Sequence, residues 1–201
     1  MTALVEGPDG GARCRWCAAA PEFLHYHDSE WGYPVTDDAR LFEKLCLEGF
    51  QSGLSWRTIL AKRENFRRAF HNFDIKRVAR FTERDVERLL QDEGIVRHRG
   101  KIEAVVNNAK RAQELIAREG SLARFIWKFE PRPEALAPPQ TVSTSVEATA
   151  LSKELKKLGW KFVGPTTVYA FMQAMGLIND HVEGCVIRER AEHARSKLKR
   201  A

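Results

Sequence analysis

The 201-residue chain lacks any uninterrupted apolar run near the roughly 18–20 residues needed to cross a bilayer, which excludes a helical membrane span. Met1 to Arg13 has no apolar stretch ahead of a small-residue cleavage site, so the expectation is a protein kept in the cytoplasm. Cysteine is scarce: the four residues at 14, 17, 46 and 185 are too few and too scattered to staple a secreted fold. Beside histidines in a reducing compartment, they point to metal or redox chemistry. Internal repeats and alternating apolar-polar runs are missing too, which argues against a solenoid or a sheet protein. A composition 43% hydrophobic and 30% charged fits neither disorder nor collagen. Basic residues outnumber acidic ones by 33 to 27, and the net charge of +6 permits a nucleic-acid partner without demanding one.

What is present reads as helix. Thr36-Asp37-Asp38 is a start signal, followed by Leu41, Phe42 and Leu45 at helical spacing, with Gly49 as a stop. Ser55 caps a second helix that turns Ile59, Leu60 and Phe66 inward. Asp74 opens a short turn, and Thr82 to Asp85 resembles a capping box ahead of Val86, Leu89 and Leu90. The longest predicted helix runs from about Lys101 to Arg118, and another spans Ser121 to Phe129. Prolines 131, 133, 138 and 139 make Glu130 to Ser145 a loop. Beyond it come a helix with Leu151, Leu155 and Leu158, a tight hairpin from Trp160 to Gly164, and a helix starting at Pro165. The charged segment after Arg188 reads as a solvated or frayed tail. The fold class is all-α.

His181 and Cys185 are four residues apart, so on a helix they would share a face and could chelate one ion. Cys14 and His27 could complete a Cys2His2 set, whose soft donors favour zinc. The ordinary alternative is a polar histidine and a core cysteine. Cys14-x-x-Cys17 is itself a chelate spacing and His25 competes with His27, and spacing does not choose among them.

The segment Glu147 to Met175 has the outline of helix, glycine-bearing turn and helix. Backbone N–H groups at such a turn can hold a phosphate, although a simple helical hairpin has the same outline. Lys161, Thr166 and Thr167 beside the turn favour phosphate contact. Tyr26 to Trp56 is dense in aromatic rings and contains one acid among apolar neighbours, Glu48. Such a carboxylate is either solvent-exposed or held in a pocket. An acid with stacking rings is a way to hold a flat, cationic heterocycle.

Tyr26-His27-Asp28-Ser29-Glu30-Trp31-Gly32, Leu47-Glu48-Gly49, Gly53-Leu54-Ser55-Trp56, Gly94 to Ile102, Lys161-Phe162-Val163-Gly164 and Asn179-Asp180-His181-Val182 closely resemble the DNA-3-methyladenine glycosylase I family, from about Arg13 to Cys185. The resemblance implies a helix-hairpin-helix glycosylase with two helical lobes whose termini are tied by one structural zinc. It implies residues 1–12 as a flexible leader, 13–187 as the glycosylase domain with the hairpin motif at about 147–175, and 188–201 as a basic tail. It assigns zinc to Cys14, His27, His181 and Cys185, base recognition to Glu48 and stacking to Trp56. Further pocket walls fall on Tyr26, Trp31 and Phe23, where Phe23 replaces a tyrosine common in the family and so lacks its hydroxyl. Gly53 and Leu54 correspond to the part pressed into DNA, and Lys161, Gly164 and Thr166 to backbone contacts. The partner implied is double-stranded alkylated DNA, bound by a monomer. Two absences bear on mechanism. Asn179 stands where many superfamily relatives carry a catalytic aspartate, and Thr166 where bifunctional relatives carry a nucleophilic lysine. The expected reaction is therefore hydrolytic removal of 3-methyladenine without strand cleavage. Two other readings remain: a metal-stapled DNA-binding module in which Glu48 and Trp56 are structural, and a glycosylase of different base preference, as Phe23 suggests.

Overall fold

A computed structural model describes residues 3–198. The chain opens with a small antiparallel hairpin, β1 (Leu4–Glu6) paired with β2 (Ala12–Cys14), Leu4 facing Cys14. The leader expected to be flexible thus carries three-residue strands, too short for alternation to reveal. A 3-10 turn over Arg15–Ala19 leads into α1 (Pro21–Ser29), then α2 (Asp38–Gln51), α3 (Trp56–Ala61), α4 (Arg63–Ala69), α5 (Ile75–Val78) and α6 (Glu83–Leu90). The long α7 (Arg99–Glu119) follows, then α8 (Leu122–Ile126), α9 (Val146–Lys157), α10 (Pro165–Ala174) and α11 (Val186–Ser196). Among the described residues no helix is long and apolar enough to cross a membrane.

The helix starts follow their capping chemistry. Asp37 accepts the Arg40 N–H at 2.8 Å, Ser55 the Thr58 N–H at 3.2 Å and Asp74 the Arg77 N–H at 2.9 Å, each satisfying an amide that the first turn leaves open. Thr82 and Asp85 form a reciprocal capping box. The single helix expected after Ser55 is broken at Lys62 into α3 and α4. Buried side chains from Tyr26 to Ile178 form one connected core, so the halves expected as lobes share an interior.

Three departures position the functional residues. First, α2 does not stop at Gly49 but continues to Gln51, leaving Glu48 inside the helix. Gly49 is there for a close approach instead: a Cβ on it would lie 3.2 Å from the Phe162 Cβ in the turn between α9 and α10. Second, residues 179–185 form a turn and not a helix, and Cys185 caps α11. Third, the tail is a docked helix. Ile187 and Ala191 of α11 are buried, and the Arg195 guanidinium donates to the Gly176 carbonyl and to Glu130. Residues 199–201 of the expected basic tail, and 1–2 of the expected leader, lie outside the described residues.

The junction of α10 with the 31–37 loop leaves no space for a side chain at Gly176. Its φ is +77°, and a Cβ there would meet the Tyr33 carbonyl carbon at 2.4 Å and the Pro34 nitrogen at 2.5 Å. Neither backbone atom can rotate away. Gly176→Ala is expected to lower the unfolding free energy by about 3 kcal/mol or more, read by urea denaturation. A loss below about 1 kcal/mol would mean that this junction yields.

Candidate functional site

Two groups of buried polar residues stand close together, one of them drawing on both ends of the chain. At the first, β2, α1 and the 179–185 turn bring Cys14, His27, His181 and Cys185 together, all buried, with their ligand atoms within 4.8 Å of one another. The nitrogens His27 Nε2 and His181 Nδ1 are 3.1 Å apart. Cys14 Sγ is 3.6 Å from His181 Nδ1, and Cys185 Sγ is 3.6 Å from His27 Nε2 and 3.7 Å from His181 Nδ1. Cys17 and His25, which spacing could not exclude, do not belong to this cluster: Cys17 is buried elsewhere and His25 is exposed beside Ser29. The four-residue spacing of His181 and Cys185 works through a turn, so the helical argument for it does not hold.

The surroundings decide what the cluster can hold. His27 Nδ1 lies 2.7 Å from an Asp28 carboxylate oxygen, and His181 Nε2 lies 3.0 Å from the Trp31 carbonyl. Both partners only accept, so these nitrogens carry the protons and each imidazole turns a bare lone pair inward. Two lone pairs facing at 3.1 Å repel unless something positive lies between them. Cys14 and the two histidines hold the Cys185 thiol below its usual range, while Cys185 and burial push Cys14 above it. The donor set therefore suits a cation. A chain of charges braces it from outside, since Arg13 Nε donates to Asp28 at 2.9 Å and the Arg13 fork reaches Asp9 in the opening hairpin.

The second group sits on α2 and α3. Glu48 is only 5% exposed. One helical turn earlier Lys44 places Nζ 2.6 Å from Glu48 Oε1, 3.3 Å from the centre of the Trp56 ring and 5.3 Å from that of Tyr26. A single ammonium thus touches the acid and the indole face, so the two share one compartment. Burial lowers the pKa of Lys44, and Glu48 opposes that drop. Burial raises the Tyr26 hydroxyl well above its usual value, with Glu48 adding to the rise, so it stays protonated. The Trp56 indole N–H is buried with no partner among the described residues. The space beside Lys44, Tyr26 and Trp56 measures about 20 Å³, room for roughly one water.

Other expected site residues divide. Tyr26 packs on Trp56 at 5.4 Å. Trp31 instead contacts His27, His181 and Trp16, and Phe23 contacts Trp16. Trp16 also meets Tyr26 and His27, linking the Cys2His2 cluster to the compartment of the acid; sequence reasoning missed it, although it lies between Cys14 and Cys17. Lys44 was missed as well, although its place four residues before Glu48 on one helix face pointed to it. Gly53 and Leu54 form an exposed tip between α2 and α3, with Leu54 42% exposed. From behind, Lys101 Nζ donates to the Phe50 carbonyl at 2.8 Å and to that of Ser52. Lys161 and Thr166 are exposed at the turn before α10, and the Asn108 amide pins that turn by accepting the Lys161 N–H and donating to its carbonyl. Asn179 donates to the Arg188 carbonyl and to Glu192, tying down α11.

Comparison with known proteins narrows the chemistry. Residues 16–189 match the family model for methyladenine glycosylase. The chain is 51% identical over 177 residues to DNA-3-methyladenine glycosylase 1 of Escherichia coli (strain K12), covering 86% of this chain and 95% of that protein. It is 46% identical to DNA-3-methyladenine glycosylase of Haemophilus influenzae, covering 86% and 96%. A crystal structure of 3-methyladenine DNA glycosylase I superposes with a TM-score of 0.80 at 49% identity, covering 87% of this chain and 98% of that one. Another, of a Tyr-to-Phe variant of such an enzyme in complex with 3-methyladenine, superposes at 0.82 with 38% identity, covering 88% and 97%.

The cluster geometry generates a test independent of any activity. Removing metal with a chelator is expected to lower the melting temperature by about 10 °C or more, because a structural ion's binding energy is folding energy. Cys14→Ser or His181→Ala is expected to abolish that response. A melting temperature indifferent to chelator and to added divalent metal would rule out a structural ion here.

Proposed function

Because the chain belongs to the methyladenine glycosylase family, we propose that it is a base-excision repair enzyme that flips an alkylated adenine out of duplex DNA and hydrolyses its glycosidic bond. The observation that carries this reading is the convergence of the Glu48 carboxylate and the Trp56 face on one buried, cation-sized position. That pairing suits a flat ring bearing positive charge, which the related enzyme in complex with 3-methyladenine supports.

The substrate supplies much of the driving force. Alkylation at the third ring nitrogen leaves the base cationic, so the bond to the sugar breaks with both electrons moving to the ring. The base departs neutral, and water adds to the sugar carbon and loses a proton. The protein's task is then chiefly to select and hold. Trp56 stacks on the cationic ring, an interaction of roughly 0.5–2 kcal/mol depending on desolvation. Glu48 is the catalytic residue: it accepts hydrogen bonds from the base's nitrogen donors, in the stronger, charge-assisted class, and stabilises charge without acting as a strong base. Ordinary adenine lacks the charge and leaves less readily. Tyr26 backs the stacked ring. Phe23 and Trp31 act through Trp16 and are positioning residues.

Leu54, exposed on its tip, is suited to fill the gap left in the duplex, with Gly53 forming the turn. The α9–turn–α10 unit serves as the helix-hairpin-helix motif: Lys161, Gly164 and Thr166 offer a cation, backbone and hydroxyl to phosphate at a helix N-terminus. Thr166 has no amine to attack the sugar, and Asn179 is spent holding α11, so neither a Schiff base nor a second carboxylate step enters the reaction. On this reading Cys14, His27, His181 and Cys185 would hold a zinc ion. Tetrahedral coordination of zinc would space its nitrogens about 3.3 Å apart and nitrogen from sulfur about 3.5 Å, from bonds of about 2.0 and 2.3 Å. Separations of 3.1 Å and of 3.6–3.7 Å support that size. Four protein ligands leave no position for water, so the ion's contribution is to join the two ends of the chain.

Glu48→Gln is expected to reduce release of 3-methyladenine from methylated duplex DNA by about 10- to 100-fold, the worth of a charge-assisted bond, with the melting curve retained. Unchanged release from a folded variant would remove Glu48 from the chemistry. The same reactions, run on a denaturing gel without alkali, are expected to leave an intact strand at the abasic site. Enzyme-dependent nicking would overturn the hydrolytic assignment.

A further inference from the structure

Lys44 is a buried charged side chain that the reaction above does not use, and it touches both residues assigned to the base. Its side chain is 7% exposed, its Nζ bonds the Glu48 carboxylate, and the same atom rests on the Trp56 ring. These are the two partners assigned to the base. Next to it lies a space of about 20 Å³ bordered by Lys44, Tyr26 and Trp56 and by two ion pairs, Glu30 with Arg63 and Glu43 with Arg67, with Arg40 beside them. That is room for about one water, and so for an ammonium of similar size, but a purine cannot enter there. A base can reach Glu48 and Trp56 only by taking the position the ammonium holds.

Resting on the reading of Glu48 and Trp56 as the base site, we propose that Lys44 is a resident cation of that site: it occupies the base's position in the empty enzyme, is displaced from Glu48 and Trp56 when the alkylated base enters, and returns to displace the neutral product. The exchange is lopsided in charge. An incoming cationic base gives the carboxylate and the indole face a positive partner in place of the one they lose. When the glycosidic bond breaks the positive charge leaves the ring, and the base no longer matches what the ammonium offers. Lys44 is thus a specificity-determining residue. It disfavours neutral occupants, undamaged adenine included, and it speeds release of the product without touching the sugar.

The test measures binding of free 3-methyladenine by calorimetry to the wild-type protein, Lys44→Met and Lys44→Arg, each checked by melting curve. Lys44→Met keeps the volume and removes the charge, and is expected to bind the neutral base about tenfold more tightly or better, the gain expected from removing a competing cation–π and ionic contact. Lys44→Arg keeps the charge and is expected to bind no more tightly than wild type. A merely structural lysine would give weaker binding when removed, so equal or weaker binding to a folded Lys44→Met overturns the proposal, as does tightening in both variants. Should Lys44→Met not fold, reductive methylation of the wild-type protein decides. Labelling of Lys44 is expected to rise several-fold when 3-methyladenine saturates the site, and unchanged labelling refutes displacement. Glu48→Gln separates this idea from the reading beneath it. Binding that depends on Glu48 but not on Lys44 sinks only the resident cation, whereas binding indifferent to Glu48 sinks both.

Discussion

A carboxylate that is 95% enclosed in a helical core must have a positive partner, and the organisation of this protein around Glu48 answers that demand. Removing an ionised carboxylate from water costs several kcal/mol even after relaxation, and only a close counter-charge offsets it. In the ligand-free chain Lys44 supplies that charge from the same helix, 2.6 Å away. The cost of keeping Glu48 buried is met by folding, since the acid lies inside α2 and Gly49 lets the Phe162 turn pack closely against that helix. A site held in this condition has a standing preference for cations. On the proposed reading, that preference is what distinguishes a base alkylated on its ring from the many that are not.

The Cys2His2 cluster and the acid are not independent. Trp16 touches His27 and Trp31 on one side and Tyr26 on the other, and Tyr26 packs on Trp56. An ion that fixes His27 also fixes α1, which carries Tyr26. The bracing continues outward, from His27 to Asp28, to Arg13, and to Asp9 in the hairpin between β1 and β2. A short strand pair that looks incidental in a helical protein therefore has a role: it holds the carboxylate that sets the tautomer of a cluster histidine. The closing helix has the matching role from the other end, through Arg195 on Gly176 and Asn179 on Arg188.

How much of this was legible beforehand depended on how local the signal was. Caps at Asp37, Ser55 and Thr82 were readable because the residue that starts each helix and the amide it satisfies are three positions apart. Glu48 and Trp56 were found by composition and resemblance, and the four cluster residues by resemblance, since Cys17 and His25 fitted the spacings equally well. What failed was whatever rests on long-range packing. Gly49 read as a stop because its reason, Phe162, lies more than a hundred residues away. The final helix read as a frayed tail because its charged residues outnumber the apolar positions, Ile187 and Ala191, that dock it. Strands of three residues carry no periodicity to detect. Lys44 escaped because a lysine among apolar helix residues reads as solvent-facing by default, and only the surrounding rings show it buried.

On the proposed reading, Lys44 sets the terms of selectivity in this pocket. A site with a bare carboxylate would attract any donor-bearing ring, and undamaged adenine vastly outnumbers the lesion in DNA. With an ammonium already seated, each candidate must offer Glu48 and Trp56 something better than what they have. A neutral ring cannot, because it offers the buried carboxylate a hydrogen bond without the counter-charge that the ammonium supplies. A cationic ring can, because its charge is spread over a face that stacks on the indole as the ammonium does. Selection then arises from competition against an internal standard rather than from shape alone. The absence of a catalytic aspartate at Asn179 is consistent with this division: a protein that admits only bases already prepared to leave needs little further help in breaking the bond.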